Sequence, residues 1–184
     1  MSTNPSHRLI GLDPGLRFTG WGVIDVTGPK LVHVANGSIA SKQADPLPTR
    51  LLQIESGLEE VFDAWAPDHA GVEQTFVNRD GAATLKLGQA RAVCLLVPAR
   101  RNIPVHEYAP NFIKRAVTGS GHAAKEQIAA MIKVLLPQAR AADEHAADAL
   151  AVAITLAHAG DLDGRLAQAL EAVRPVLRSL ARGS

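Results

Sequence analysis

The sequence predicts an α/β protein with a mixed five-stranded sheet flanked by helices. Three observations predict it. Three strand-like segments open the chain, joined by short turns. A helix, a strand, a second helix and a fifth strand follow, and the remaining chain is helical. A meander that feeds helix-linked strands gives a sheet antiparallel on one side and parallel on the other. An uninterrupted strand–helix–strand series would not begin with three strands.

Arg8 to Asp13 is an apolar run stopped by Pro14-Gly15, the first strand. Gly20 to Val26 is the second, and the Gly28-Pro29 turn leads into the third, Lys30 to Ile39. Leu47 to Trp65 has helical spacing, with Leu51, Leu52, Ile54, Leu58, Val61 and Phe62 forming a stripe, and Pro67 closes it. His69 to Gln74 is a fourth short strand. Thr84 to Arg101 reads as a helix, and Pro104 to Tyr108 as the fifth strand. Asn111 to Val117 is a short helix, Thr118-Gly119-Ser120-Gly121 a turn. Ala123 to Leu136 and Glu144 to His158 are helices. Leu162 to Ala181 is amphipathic and interrupted at Pro175. The expected organisation is one domain over residues 1–160 and a C-terminal helical tail over 161–184.

With 184 residues, 47% of them hydrophobic, the chain can bury a core of one ordinary domain. Aromatics are few, so Ala, Leu, Val and Ile fill it. The net charge is +1, so no global polycation marks a nucleic-acid binder; any such surface must be local. The single cysteine, Cys94, forms no intrachain disulfide and sits in an apolar run, as a buried thiol does. The N-terminus lacks a signal-peptide core, and Ala146 to Ala159 is too short and too charged at Asp148 to span a membrane. A soluble cytoplasmic protein is the expectation.

Three acids stand out. Asp13 ends an apolar strand just before a Pro-Gly turn, and Glu73 ends another. Each is either a turn cap or strand-end charge, or a site residue. If strands one and four are neighbours, the two carboxylates converge, and they repel unless a divalent cation neutralises them. Oxygen-rich sites of this kind suit Mg²⁺ or Mn²⁺. Asp148 lies among Ala146, Ala147, Leu150, Ala151 and Ile154, where small residues allow a helix to approach a sheet. His145 and Glu144 share its helix face. Asp143 points elsewhere and is placed to cap the helix. Acids from the first strand, the fourth strand and a late helix match the pattern of RNase H-like nucleases, as the element order does.

The chain resembles the RuvC family of Holliday-junction resolvases from Leu9 to about His158. The resemblance rests on Gly11-Leu12-Asp13-Pro14-Gly15 with Thr19-Gly20-Trp21-Gly22, and on Val72-Glu73-Gln74-Thr75-Phe76. It also rests on Leu85-Lys86-Leu87-Gly88-Gln89-Ala90-Arg91 and on Ala146-Ala147-Asp148-Ala149-Leu150-Ala151. The Leu85 to Arg91 string is the most family-specific, since general RNase H chemistry does not explain it.

The resemblance implies an RNase H-like fold and a metal-dependent endodeoxyribonuclease that resolves four-way junctions by paired symmetric nicks, in recombination and repair. It maps metal-binding acids onto Asp13, Glu73 and Asp148. The fourth site position, often Asp, is His145 here, either a ligand or a proton carrier. It implies Mg²⁺ or Mn²⁺, two ions per site. It gives Phe76 a stacking or wedging role and places Lys114 and Lys125 near the scissile phosphate. Arg115 accompanies Lys114; Lys86, Arg91, Arg17, Arg100 and Arg101 are further phosphate candidates. The implied partners are branched DNA, a second copy of the chain, and the RuvA and RuvB branch-migration proteins. The helix carrying Leu87, Ala90, Val93, Cys94 and Val97 is the expected dimer face. Two other readings compete: an actin-like ATPase or sugar kinase, for which the chain lacks a second domain, and a junction-binding protein that does not cut. A generic RNase H or transposase nuclease is disfavoured by the Leu85 to Arg91 string.

Overall fold

A computed structural model describes residues 6–75 and 80–160. Phe76 and the expected tail lie outside them. Five strands form one sheet: β1 (Ser6–Asp13), β2 (Phe18–Thr27), β3 (Lys30–Ala40), β4 (His69–Glu73) and β5 (Val105–Tyr108). Their spatial order is β3-β2-β1-β4-β5. The β1–β2 and β2–β3 pairs are antiparallel, and β1–β4 and β4–β5 are parallel. The meander and the helix-linked strands therefore share one mixed sheet, as expected.

The central strand is buried on both faces, and its alternation divides the core. Leu9 joins a cluster with Ile24, Ile113, Val117, Ile128, Ile132 and Leu150. Ile10 and Leu12 join Val23, Ile54, Leu58, Phe62, Cys94 and Val97. Helices α1 (Leu47–Trp65) and α2 (Gly81–Arg100) thus cover one face. Helices α3 (Pro110–Thr118), α4 (Lys125–Leu135) and α5 (residues 144–160) cover the other. The helix ends have local causes. Asp80 accepts hydrogen bonds from the backbone N–H of Ala82 and Ala83 and caps α2. Gly119, at φ 80°, ends α3 in the left-handed conformation that a side chain resists. The capped start moves α2 three residues earlier than the apolar spacing indicates.

α5 lies unusually close to the sheet, because glycines line its path. A Cβ on Gly11 would come within 2.1 Å of the Ala149 carbonyl oxygen and 2.4 Å of the Ala153 nitrogen. One on Gly22, the β2 partner of Gly11, would meet the Leu150 side chain at 2.8 Å. Alanines on the helix meet glycines on the strands, so the backbones nearly touch. This seating sets the height of every side chain at the start of α5.

The expected dimer face of α2 needs correction. Ala90, Cys94 and Val97 are fully buried within the chain's own core, and Val93 packs against the same cluster. A different stripe faces outward: Ala82, Leu85, Gln89, Ala92, Leu96 and Ala99 are all exposed. Their alternating three- and four-residue spacing is that of a helix–helix seam. α2 carries two apolar stripes, and spacing alone does not tell which meets the sheet. The Cys94 thiol is buried as expected, and burial raises its pKa. Among the described residues, no helix is long and apolar enough to cross a membrane.

Candidate active site

Asp13 and Glu73 leave the sheet at the same level. Leu12 pairs with Val72 across the parallel β1–β4 ladder, so the next residue of each strand is an acid on a neighbouring strand end. The two carboxyls lie close enough to shift each other's titration. Burial pushes Asp13 up to about 7, and the charge of Asp148 adds to it. Burial also pushes Glu73 up to about 7, followed by the charges of Asp13 and Asp148. The acids titrate as a coupled pair. They are a crowded, partly desolvated pair of acids at one level of the sheet.

α5 brings the other two groups. Its start is fixed by Asp143, whose Oδ1 accepts from the Ala146 N–H at 2.9 Å and whose Oδ2 accepts from the Ser38 hydroxyl at 2.5 Å. The Ser38 bond and this capping bond hold the Asp143 pKa below the usual carboxylate range. Gly20 on β2 admits the first turn: a Cβ there would come within 2.1 Å of the His145 carbonyl oxygen. The His145 Nδ1 then lies 3.5 Å from Asp13 Oδ2. Asp148 is raised by burial and is opposed by the positive charge of Lys125. The Lys125 Nζ sits 4.0 Å from Asp148 Oδ2 and 3.4 Å from Glu144 Oε2.

Four sequence candidates thus converge: Asp13, Glu73, His145 and Asp148. Lys125 stands beside Asp148, and the positive charge of Lys114 lowers Glu73. Arg115 is exposed on α3 beside Lys114, and Lys86 is exposed on α2. Arg91 is paired with Glu107, and its Nε is buried without a hydrogen-bond partner. Arg100 pairs with Glu55, and Arg101 with Glu59 and, at 2.7 Å, with Asp63. These three arginines brace helix to helix or helix to strand. Sequence reasoning missed Phe18, whose ring stacks on His145 at 5.4 Å between centroids and 25° between planes. No local signal marks it, because the contact spans the sheet and a distant helix.

The donor set fits a hard divalent cation: three carboxylates and an imidazole, with two of the acids held high chiefly by burial and then by their neighbours' negative charge. Among the described residues no three such side chains form a preformed cage. They are linked in pairs, Asp13 with Glu73 and Asp13 with His145, at the ends of two interior strands. Side chains linked in pairs and not caged leave coordination positions for solvent and substrate, as catalytic hard-metal sites do.

A mixed sheet in this order, with acids at the ends of its first and central parallel strands and on a late helix, defines an RNase H-like nuclease. The family model described as crossover junction endodeoxyribonuclease RuvC matches residues 9–156. The chain is 56% identical over 165 residues to the crossover junction endodeoxyribonuclease RuvC of Parvibaculum lavamentivorans, covering 90% of this chain and 94% of that one. It is 59% identical over 151 residues to the protein of the same name from Rhodopseudomonas palustris, covering 82% of this chain and 87% of that one. The structure of T. thermophilus RuvC in complex with a Holliday junction substrate superposes with a TM-score of 0.79 at 31% identity, covering 85% of this chain and 96% of that one. The chain belongs to the RuvC family and is a nuclease. Membership implies divalent-metal use.

Proposed function

We propose that this chain resolves four-way DNA junctions by paired, symmetric, metal-assisted phosphodiester hydrolysis, in recombination and DNA repair in the cytoplasm. The observation that carries the proposal is the convergence of Asp13 and Glu73, at adjacent strand ends, with His145 and Asp148 from a helix seated on glycine.

Asp13, Glu73, Asp148 and His145 are the residues to hold Mg²⁺ or Mn²⁺, two ions per site. Bound divalent cations supply Lewis-acid stabilisation of charge on the phosphoryl oxygens. The protein's own contribution is positional. Neighbouring strands fix the two buried acids, and the glycine bed fixes the height of His145 and Asp148. Lys125, held by Glu144 and Asp148, and Lys114, beside Glu73, place positive charge where a phosphate backbone meets the acids. Lys86, Arg115 and the braced Arg91 extend this basic surface, and Phe76, three residues beyond the strand-four acid, stacks on bases at the opened junction. His145 serves as a metal ligand, which its place beside Asp13 supports.

The exposed seam of α2 supports a homodimer, since a two-fold protein matches a two-fold junction. Membership of the RuvC family supports action alongside the RuvA and RuvB branch-migration proteins. The test is incubation of the protein with a synthetic four-way junction and a matched linear duplex, with and without Mg²⁺ or Mn²⁺. Paired nicks in the junction alone, only with metal, support the proposal. Metal-dependent cutting of both substrates equally would point to a general nuclease, and junction binding without nicking to an inactive binder.

A further inference from the structure

The face of β2 that carries α5 ends in an aromatic. Along it Gly22 lies under Leu150 and Gly20 under the His145 carbonyl. Two residues earlier on the same face stands Phe18. Where the glycines let the helix backbone down, Phe18 meets its side chain and stacks on the imidazole of His145. The Arg17 guanidinium lies 5.2 Å from the centroid of the same Phe18 ring. Phe18 is half-buried and held on both sides. Its own strand pairs it with Ala40, and the next residue, Thr19, is buried with its hydroxyl donating to the Gly15 carbonyl at 2.8 Å. The platform is therefore stiff.

An imidazole near a single carboxylate oxygen at 3.5 Å is poorly fixed by that contact alone. One weak contact leaves χ2 free to turn, and turning the ring moves both nitrogens, because both lie off the Cβ–Cγ axis. A stacked ring removes that freedom, because only one plane of the imidazole lies flat against it. We propose that Phe18 is a positioning residue: its ring sets the plane of His145 and thereby presents the imidazole to the metal. The inference deepens the reading of His145 as a ligand and rests on it.

The experiment uses the full chain without DNA. Ring-proton shifts of His145 are read by NMR in chelator, and Mn²⁺ affinity by electron paramagnetic resonance, for wild type, Phe18→Leu, Phe18→Tyr, His145→Ala and the Phe18→Leu/His145→Ala double variant. Stacked protons are shielded by the aromatic ring. Phe18→Leu should lose that upfield shift and weaken Mn²⁺ binding by about tenfold, the range expected on losing a support of a metal ligand. Phe18→Tyr should restore both. In the His145→Ala background Phe18→Leu should cost nothing further, which separates positioning from a general effect on folding. If Phe18→Leu loses the shift but binds Mn²⁺ like wild type while His145→Ala binds weakly, the positioning role is overturned and the ligand reading stands. If His145→Ala itself binds Mn²⁺ like wild type, the ligand reading fails and the positioning role fails with it.

Discussion

The backbone of His145 occupies the space a side chain on Gly20 would need: a Cβ there would come within 2.1 Å of the His145 carbonyl oxygen. Gly20 pairs directly with Asp13 across β1–β2, so one strand position sets the distance between an acid and the helix that faces it. Gly20→Ala should destabilise the fold by about 1–3 kcal/mol, the usual cost of overpacking. It should also lift His145 away from Asp13. Urea unfolding gives the first quantity, and metal affinity of the fraction that remains folded gives the second. Unchanged stability and affinity would show that α5 seats differently.

The raised acids make stability depend on pH in a definite direction. Carboxyls in an unfolded chain titrate at about 4, whereas Asp13 and Glu73 reach about 7 in the folded protein. Between those values the folded state binds more protons, so stability is greatest in acid and falls as pH rises. Above about 7 the loss is complete and the curve flattens. In chelator, thermal unfolding should show stability declining steadily across this window. Asp13→Asn should flatten it and be more stable than wild type at pH 8. Added Mg²⁺ should raise the melting temperature at pH 8 far more than at pH 5, because protons and metal compete. Stability that rises with pH through this window, in chelator, would contradict the coupled-pair description.

The two lysines beside the acids separate binding from chemistry. If Lys114 or Lys125 neutralises one phosphate, its Ala variant should weaken junction binding and reduce the salt slope by roughly 0.9. If it stabilises charge in the transition state, binding holds and the single-turnover rate falls. Lys125 also holds Glu144 and Asp148, so its removal should disturb the site more than removal of Lys114. No change in either quantity for either variant would return both to the solvated surface.

The outward seam of α2 predicts where the dimer forms. Leu85 is 72% exposed and Leu96 48%, while the next residue, Val97, is fully buried. Leu96→Asp should give a folded monomer by sedimentation. Val97→Asp should instead unfold the chain, since it puts a charge in the core. A wild-type monomer at working concentration, or a Leu96→Asp dimer, would remove this face from the assembly.

Much of this was legible in the sequence because acids at the ends of apolar strands are conspicuous. Asp13 and Glu73 each follow an apolar run, and the meander order makes their strands neighbours. Alanines around Asp148 signalled close approach, although the glycines that receive them lie far away in sequence. Asp143 was legible as a cap from its place before the helix. The stripes of α2 were not separable, because Ala90, Cys94 and Val97 are no more apolar than Leu85, Ala92 and Leu96. Only the shape of the sheet beneath decides which stripe turns inward. The arginine pairs and the Phe18 platform depend on contacts between distant elements, which periodicity does not encode.

The central claim is that Asp13, Glu73 and Asp148 form one metal-holding centre that cuts and does not grip. Phosphate contacts and junction shape supply affinity elsewhere on the surface. The direct measurement is single-turnover cleavage of a four-way junction in Mg²⁺, with binding to the same junction measured in parallel, for Asp13→Asn, Glu73→Gln and Asp148→Asn. Each variant should bind within a few-fold of wild type, a change of roughly 1 kcal/mol or less, and should fail to cut. Near-normal cutting by any one of them would remove that acid from the centre and contradict the account.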